Sequence, residues 1–232
     1  MGTVRTMQIE TLDHVALWVE DRDRLTDFLT ASTGVHVVDR TERFTLVGAD
    51  ARRGKLTLFD AEGDRDAGVL ARVGLRVHDL EEALASLPPD LSVERGDGVA
   101  TFEAPEGLRL AFVQVEDGVA YDLDHVAFLV PDPATTFAEL AELGFDVEDG
   151  RLLAGDASIL LEPGDPGEGE RPLLNHLGLR VESADQHIEE AERRGLEIAD
   201  VVDAENTYAV FVWGPDRIKL EYVEHNPTFS LT

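Results

Sequence analysis

The chain has 232 residues, 43% of them hydrophobic, enough for a packed core and for two compact domains of about 115 residues each. It contains no cysteine, which excludes disulfides and thiolate ligands and leaves His, Asp and Glu to hold any metal. The net charge of −28, from 48 acidic against 20 basic residues, opposes binding to nucleic acid or to an anionic membrane.

Taken in order, residues 8–20 read as a strand and Asp21 opens an acidic helix that ends near Gly34. Short strands follow at 35–39, 43–47 and 55–59, which makes a β-α-β-β-β unit. A second unit runs from a strand at 69–77 through a helix at 79–87, stopped by Pro88 and Pro89, to strands at 91–94, 99–102 and 108–115. The third begins at 121–130, with Asp132 as helix N-cap, Pro133 in the first turn and Gly144 past the end. Its strands are expected at 146–148, 151–153 and 157–162, before a Gly/Pro/Glu-rich connector at 163–172. The fourth unit starts at Leu173, has a Ser183-x-x-Gln186 capping box and a Gly195 stop, and closes with strands at 197–202, 208–213 and 217–224.

The units repeat. Leu-Asp-His-Val-Ala occurs from Leu12 and again from Leu123, and Gly-Leu-Arg-Val occurs from Gly74 and again from Gly178. Segments that recur in the same order at nearly equal offsets indicate an internal duplication. The expected fold class is α+β: four βαβββ modules paired into two domains, 1–117 and 118–232, each with a mixed sheet.

Side chains alternate between strand faces. In 123–130, Val126, Phe128 and Val130 suit a packed face, which turns His125 the other way. The same alternation turns His176 away from Leu177 and Leu179, and Glu221 away from Leu220 and Tyr222. Two imidazoles and a carboxylate on one open surface form a facial set suited to Fe(II), with Mn(II), Ni(II) or Zn(II) as alternatives.

Asp-His-Val-Ala from Asp124, Asn-His-Leu-Gly-Leu-Arg-Val from Asn175, and the closing Gly-Pro-Asp-Arg-Ile-Lys-Leu-Glu from Gly214 to Glu221 resemble the vicinal oxygen chelate superfamily over almost the whole chain. That superfamily includes glyoxalase I, bleomycin and fosfomycin resistance proteins, methylmalonyl-CoA epimerase and type I extradiol dioxygenases. The resemblance implies U-shaped sheets and a divalent metal held by His125, His176 and Glu221. In the first half His14 matches the first ligand position, but Arg72 and Ala111 fall at the other two, so His14 is expected to be structural. A degenerate first domain before a metal-bearing second is the extradiol dioxygenase arrangement.

The chain departs from that pattern in having no histidine between His125 and His176 to act as the acid–base group, and in placing Phe211 where a tyrosine is usual, with Tyr208 nearby. Glu162 is the candidate fourth ligand or base of a glyoxalase-like isomerase, and Arg180 the candidate anchor for a substrate carboxylate or phenolate. Tyr208, Phe211 and Trp213 either line a pocket for a planar substrate or fill core, and core is the expected reading.

The expected function is therefore a divalent-metal enzyme resembling ring-cleaving dioxygenases, acting on a small molecule such as an aromatic diol. The alternatives are an isomerase or lyase of the glyoxalase or epimerase kind, and a non-catalytic binding or resistance protein. No apolar run is long enough to span a bilayer and no leader is evident at the N-terminus, so a cytoplasmic protein, as a monomer or homo-oligomer, is expected. The acidity fits adaptation to high salt, and the Arg-rich, Lys-poor profile, with Lys55 and Lys219 as the only lysines, fits a GC-rich genome equally well.

Overall fold

A computed structural model describes residues 7–167 and 171–227; part of the acidic connector, 168–170, lies outside the described residues, as do the first six. All four expected units are present. The first comprises β1 (Thr11–Val19), α1 (Arg22–Ser32), β2 (His36–Arg40), β3 (Phe44–Gly48) and β4 (Lys55–Asp60), and the second β5 (Leu70–Val77), α2 (Leu80–Ala85), β6 (Val93–Arg95), β7 (Val99–Glu103) and β8 (Arg109–Gln114). The third comprises β9 (Leu123–Val130), α3 (Pro133–Glu142), β10 (Asp146–Glu148), β11 (Arg151–Ala154) and β12 (Ala157–Pro163), and the fourth β13 (Leu174–Arg180), α4 (Ala184–Arg194), β14 (Ile198–Asp203), β15 (Thr207–Trp213) and β16 (Lys219–His225).

Local chemistry accounts for the helices. Asp21, Asp79, Asp132 and Ser183 each accept a backbone N–H of the first turn, satisfying donors the helix cannot. Gly195 ends α4 in the left-handed conformation at φ 68°, and Gly144 after α3 has φ 100° and lies so close to the Met7 carbonyl that a Cβ would sit 2.5 Å from it. Within every unit the last strand returns parallel to the first, β1 with β4, β5 with β8, β9 with β12 and β13 with β16.

The units do not pair as the two halves of the chain. One eight-stranded sheet runs β14-β15-β16-β13-β1-β4-β3-β2 and joins the fourth unit to the first. The other runs β10-β11-β12-β9-β5-β8-β7-β6 and joins the third to the second. The expected division at 117/118 thus falls inside the second sheet. The connectors explain this. Between β8 and β9 the chain turns back at once, with Tyr121 at φ 62° and its N–H donating to the Arg76 carbonyl at 2.6 Å, so β9 lies antiparallel to β5. The other two connectors cross between the sheets side by side: Asp66 N–H donates to the Arg171 carbonyl (2.9 Å), and Leu173 N–H to the Asp66 carbonyl (2.7 Å). They carry the fourth unit back to the first, where β13 pairs antiparallel with β1.

The apolar strand faces pack as the alternation predicts. Val15, Leu17, Val126, Phe128, Leu177, Leu179, Leu220 and Tyr222 are fully buried, and the Tyr222 hydroxyl donates to the Leu143 carbonyl at 2.7 Å. No described helix is long and apolar enough to cross a membrane.

Candidate metal centre

The open face of the first sheet carries the site. His14 on β1, His176 on β13 and Glu221 on β16 converge through His14 Nε2, His176 Nε2 and Glu221 Oε2. The two nitrogens are 3.0 Å apart, and each is 3.1 Å from the carboxylate oxygen. Two donors at about 2.1 Å from a cation and at right angles are about 3.0 Å apart, so the triangle matches one face of an octahedral shell.

Hydrogen bonding on the far side of each ring fixes what faces inward. His14 Nδ1 donates to Asp13 Oδ2 at 2.9 Å and His176 Nδ1 to Asn175 Oδ1 at 3.0 Å, which leaves both Nε2 lone pairs aimed at the centre. Glu221 Oε2 is buried and makes no hydrogen bond among the described residues. Once His14 gives up its Nε2 proton the three atoms face one another as acceptors, a donor set that a divalent cation fits.

The strands build this with irregularities. Pairing of β1 with β13 skips Asp13 between Leu12 and His14, and skips Asn175 between Leu174 and His176. Each skipped residue is a bulge, which lets two successive side chains serve the same locus. Asp13 therefore stands beside its neighbour His14, held from behind by Lys55 Nζ at 2.8 and 2.9 Å and by His225 Nε2 at 3.2 Å.

The electrostatics follow. Burial depresses the His14 pKa, but Asp13 and Glu221 outweigh it and raise the value to about 9. Burial works against the Glu221 carboxylate, yet His176 and His14 hold its pKa well below the usual range. His176 is shifted down, chiefly by burial. Asp13 also lies well below normal, because hydrogen bonds from His14 and His225 and the Lys55 and His14 charges outweigh its burial.

Glycine has a specific role here. Gly178 faces Glu221 across β13 and β16 and lies under the His14 ring, and a Cβ on it would come within 2.3 Å of His14 Cε1. Gly178→Ala is expected to push the ring off its position and weaken metal binding about 10–100-fold, the range for losing a group that orients a ligand. Gly74, which stands under His125 in the same way, should tolerate alanine without any change in metal affinity. Chelator competition on both variants distinguishes the two.

The sequence-derived set His125, His176 and Glu221 is not brought together. His125 belongs to the second sheet, where Arg72 Nε donates to its Nε2 at 3.1 Å and Arg72 Nη2 pairs with Glu162 Oε1 at 2.9 Å. A guanidinium there bridges the histidine and the carboxylate, and Glu162 belongs to the second sheet, whereas His176 and Glu221 belong to the first. Arg180 shares the His176 face but is paired with Glu10 at 2.8 Å. Tyr208 points to the helix side of its sheet: it pairs with Glu224, whose carboxylate accepts the first N–H of α4, and its phenol lies beside Asp185.

The residues missed are His14, Asp13, Lys55 and a set of aromatics. Phe59 lies two positions from Thr57 on β4, with its ring 6.3 Å from His176, 5.5 Å from Trp18 and 5.9 Å from Phe44. Phe211 is opposite Glu221 on β15, with its ring 5.0 Å from His176. All four aromatics are partly exposed: Phe59 and Phe211 stand beside His176, and Trp18 and Phe44 back Phe59. Position by position, Phe59 on β4 corresponds to Glu162 on β12, each four residues beyond the strand partner of its unit's histidine.

Paired βαβββ units around a two-histidine, one-carboxylate cluster define a class of proteins built to present a metal on an open sheet. The family model of the glyoxalase/bleomycin resistance protein/dioxygenase superfamily matches residues 11–222, and the chain belongs to that superfamily. No curated protein sequence matches it significantly. Among solved structures it is similar to a putative dioxygenase from Bacillus subtilis (TM-score 0.76, 18% identity, covering 95% of this chain and 86% of that one). It is also similar to glyoxalase I from Zea mays (0.69, 17%, 92% of each chain) and to the cppA protein from Streptococcus pneumoniae (0.68, 16%, 95% and 100%). Identities this low speak for the fold alone.

Proposed function

We propose that the first sheet holds one divalent cation through His14, His176 and Glu221, and that the protein is an enzyme of the ring-cleaving dioxygenase type acting on a small molecule with two adjacent oxygens. The observation that carries the reading is the three-donor triangle with Phe59 at the place where a fourth carboxylate ligand would sit. Three protein ligands leave several positions of an octahedral shell for substrate. When bound, the cation supplies Lewis-acid chemistry and, as Fe(II), the redox capacity an oxygenase needs.

The chain's own residues supply the rest. Asp13 and Asn175 hold the two imidazoles in register, and Lys55 holds Asp13. Phe59 and Phe211 flank His176 and favour a planar substrate edge-on to the ligand ring, while excluding water from the reacting face. A glyoxalase-type isomerase needs a carboxylate base at the substrate carbon, and Glu162, the residue suited to that part in the sequence, is engaged by Arg72 in the other sheet.

The test is anaerobic reconstitution with Fe(II), metal analysis, and O2 uptake with a panel of catechols. One iron per chain and catechol-dependent uptake are expected. Stoichiometric Zn(II) or Ni(II) with hemithioacetal isomerisation and no O2 uptake would favour the isomerase, and the absence of any stoichiometric metal would leave only a binding protein.

A further inference from the structure

We propose that Lys219 anchors an anionic substituent, a carboxylate in the simplest case, on the planar substrate of this site, which makes Lys219 the specificity-determining residue. The inference rests on the metal-centre reading above and adds to it the class of substrate.

The argument starts from an imbalance. The chain holds 20 cations among 48 acids, and only Lys55 and Lys219 are lysines. Both lie at the same cup. Lys55 is buried and accounted for, since its ammonium spans both oxygens of Asp13. Lys219 is half-buried on β16, two residues before Glu221 and on the same face, directly opposite Trp213. Its ammonium makes no ion pair and no hydrogen bond among the described residues. The Glu221 and Asp200 carboxylates act on its charge at longer range, and two aromatic ring centroids lie 5.9 Å away at Phe211 and 5.5 Å at Trp213. These distances are near the outer limit of a cation–π contact of about 6 Å, and ring faces satisfy none of the three N–H donors.

A compact, flexible ammonium beside two partly exposed rings, two residues along the strand from a metal ligand, suits an anion carried on a flat molecule. The rings would take the faces or edges of the substrate, the cation its two adjacent oxygens, and Lys219 its charged substituent. Nearby arginines are already committed: Arg217 lies over the Trp213 ring at 3.9 Å and pairs with Glu197, and Arg180 pairs with Glu10. Lys219, which feels the Glu221 and Asp200 charges but forms no ion pair with either, is among the described residues a cation of this cup with donors left for a ligand.

The test uses the metal-loaded full chain and three probes: catechol, 2,3-dihydroxybenzoate and 3,4-dihydroxybenzoate. At low ionic strength at least one carboxylated diol should bind about tenfold tighter than catechol, the scale of one charge-assisted hydrogen bond, and the preference should shrink as salt is added. In Lys219→Met the ratio should fall to about one, whereas Lys219→Arg should keep most of it. The salt dependence in the unsubstituted protein tests the idea even if the methionine variant fails to fold. Equal binding of all three probes, or a preference that survives Lys219→Met, overturns the Lys219 assignment alone. Failure of metal-loaded protein to bind any of the three overturns the metal-centre reading, and the anchor with it.

Discussion

Replacing His14 with alanine is expected to abolish stoichiometric metal binding, and replacing His125 with alanine is expected to leave it at one cation per chain. The two histidines sit in the same Asp-His-Val-Ala context on equivalent strands, so sequence surroundings do not separate them. Their neighbours in space do. His14 Nε2 is 3.0 Å from His176 Nε2 and 3.1 Å from Glu221, whereas His125 Nε2 receives a hydrogen bond from Arg72 at 3.1 Å. Removing one of three ligands from a facial set should weaken binding by more than the roughly 100-fold upper range of losses seen when only an outer-shell partner is removed. Removing His125 leaves Arg72 paired with Glu162, and its cost should appear only in stability. Metal analysis after dialysis against a weak chelator, with thermal unfolding of both variants alongside, gives the answer. Metal lost from His125→Ala and kept in His14→Ala would overturn the assignment.

Metal affinity should also rise steeply with pH across the neutral range. His14 has its pKa raised from 6.5 to about 9, because Asp13 and Glu221 favour the imidazolium more than burial disfavours it. Without metal, that protonated ring contributes stability that is fully present below about pH 6.5 and is lost as pH rises through about 9. The cation needs the same Nε2 lone pair and must displace the proton. Glu221, held low, is already ionised, and His176, shifted down, is already neutral at pH 7 and above. One proton per cation should therefore be released at pH 7, and the apparent association constant should climb about tenfold per pH unit until it flattens near pH 9. Calorimetry in two buffers of different ionisation enthalpy counts the proton, and a pH-independent affinity between 7 and 8 would contradict the placement of His14. At the acid end Glu221 contributes stability that is present above its ordinary pKa of 4.5 and is lost as pH falls through its depressed value.

Much of the architecture was legible because it is written in local chemistry. Asp132 followed by Pro133, Ser183 with Gln186, and Gly195 specify helix ends through donors that need acceptors and a backbone that needs positive φ, and the structure has α3 and α4 where these signals put them. Alternation placed Val126, Phe128 and Val130 in the core and turned His176 and Glu221 to the open face, where both lie. For Phe211 and Trp213 the sequence left pocket wall and core both open and favoured core, for a definite reason. Alternation says which face a side chain takes, but only the closed fold says whether that face is covered, and theirs is left partly open beside His176.

The partner of His176 and Glu221 was beyond such signals. From the sequence alone came the four βαβββ units, the absence of thiolate chemistry and the two histidine-bearing strands, consequences of local periodicity, capping and composition, and the duplication, which the repeated motifs show directly. Tertiary structure alone decided that the first unit meets the fourth and the second meets the third. The first strands of all four units offer similar edges, so their own residues allow either pairing. The choice falls to the tight return at Tyr121 and to the two connectors that run side by side at Asp66 and Arg171. That choice puts His14 with the ligands and hands His125 to Arg72.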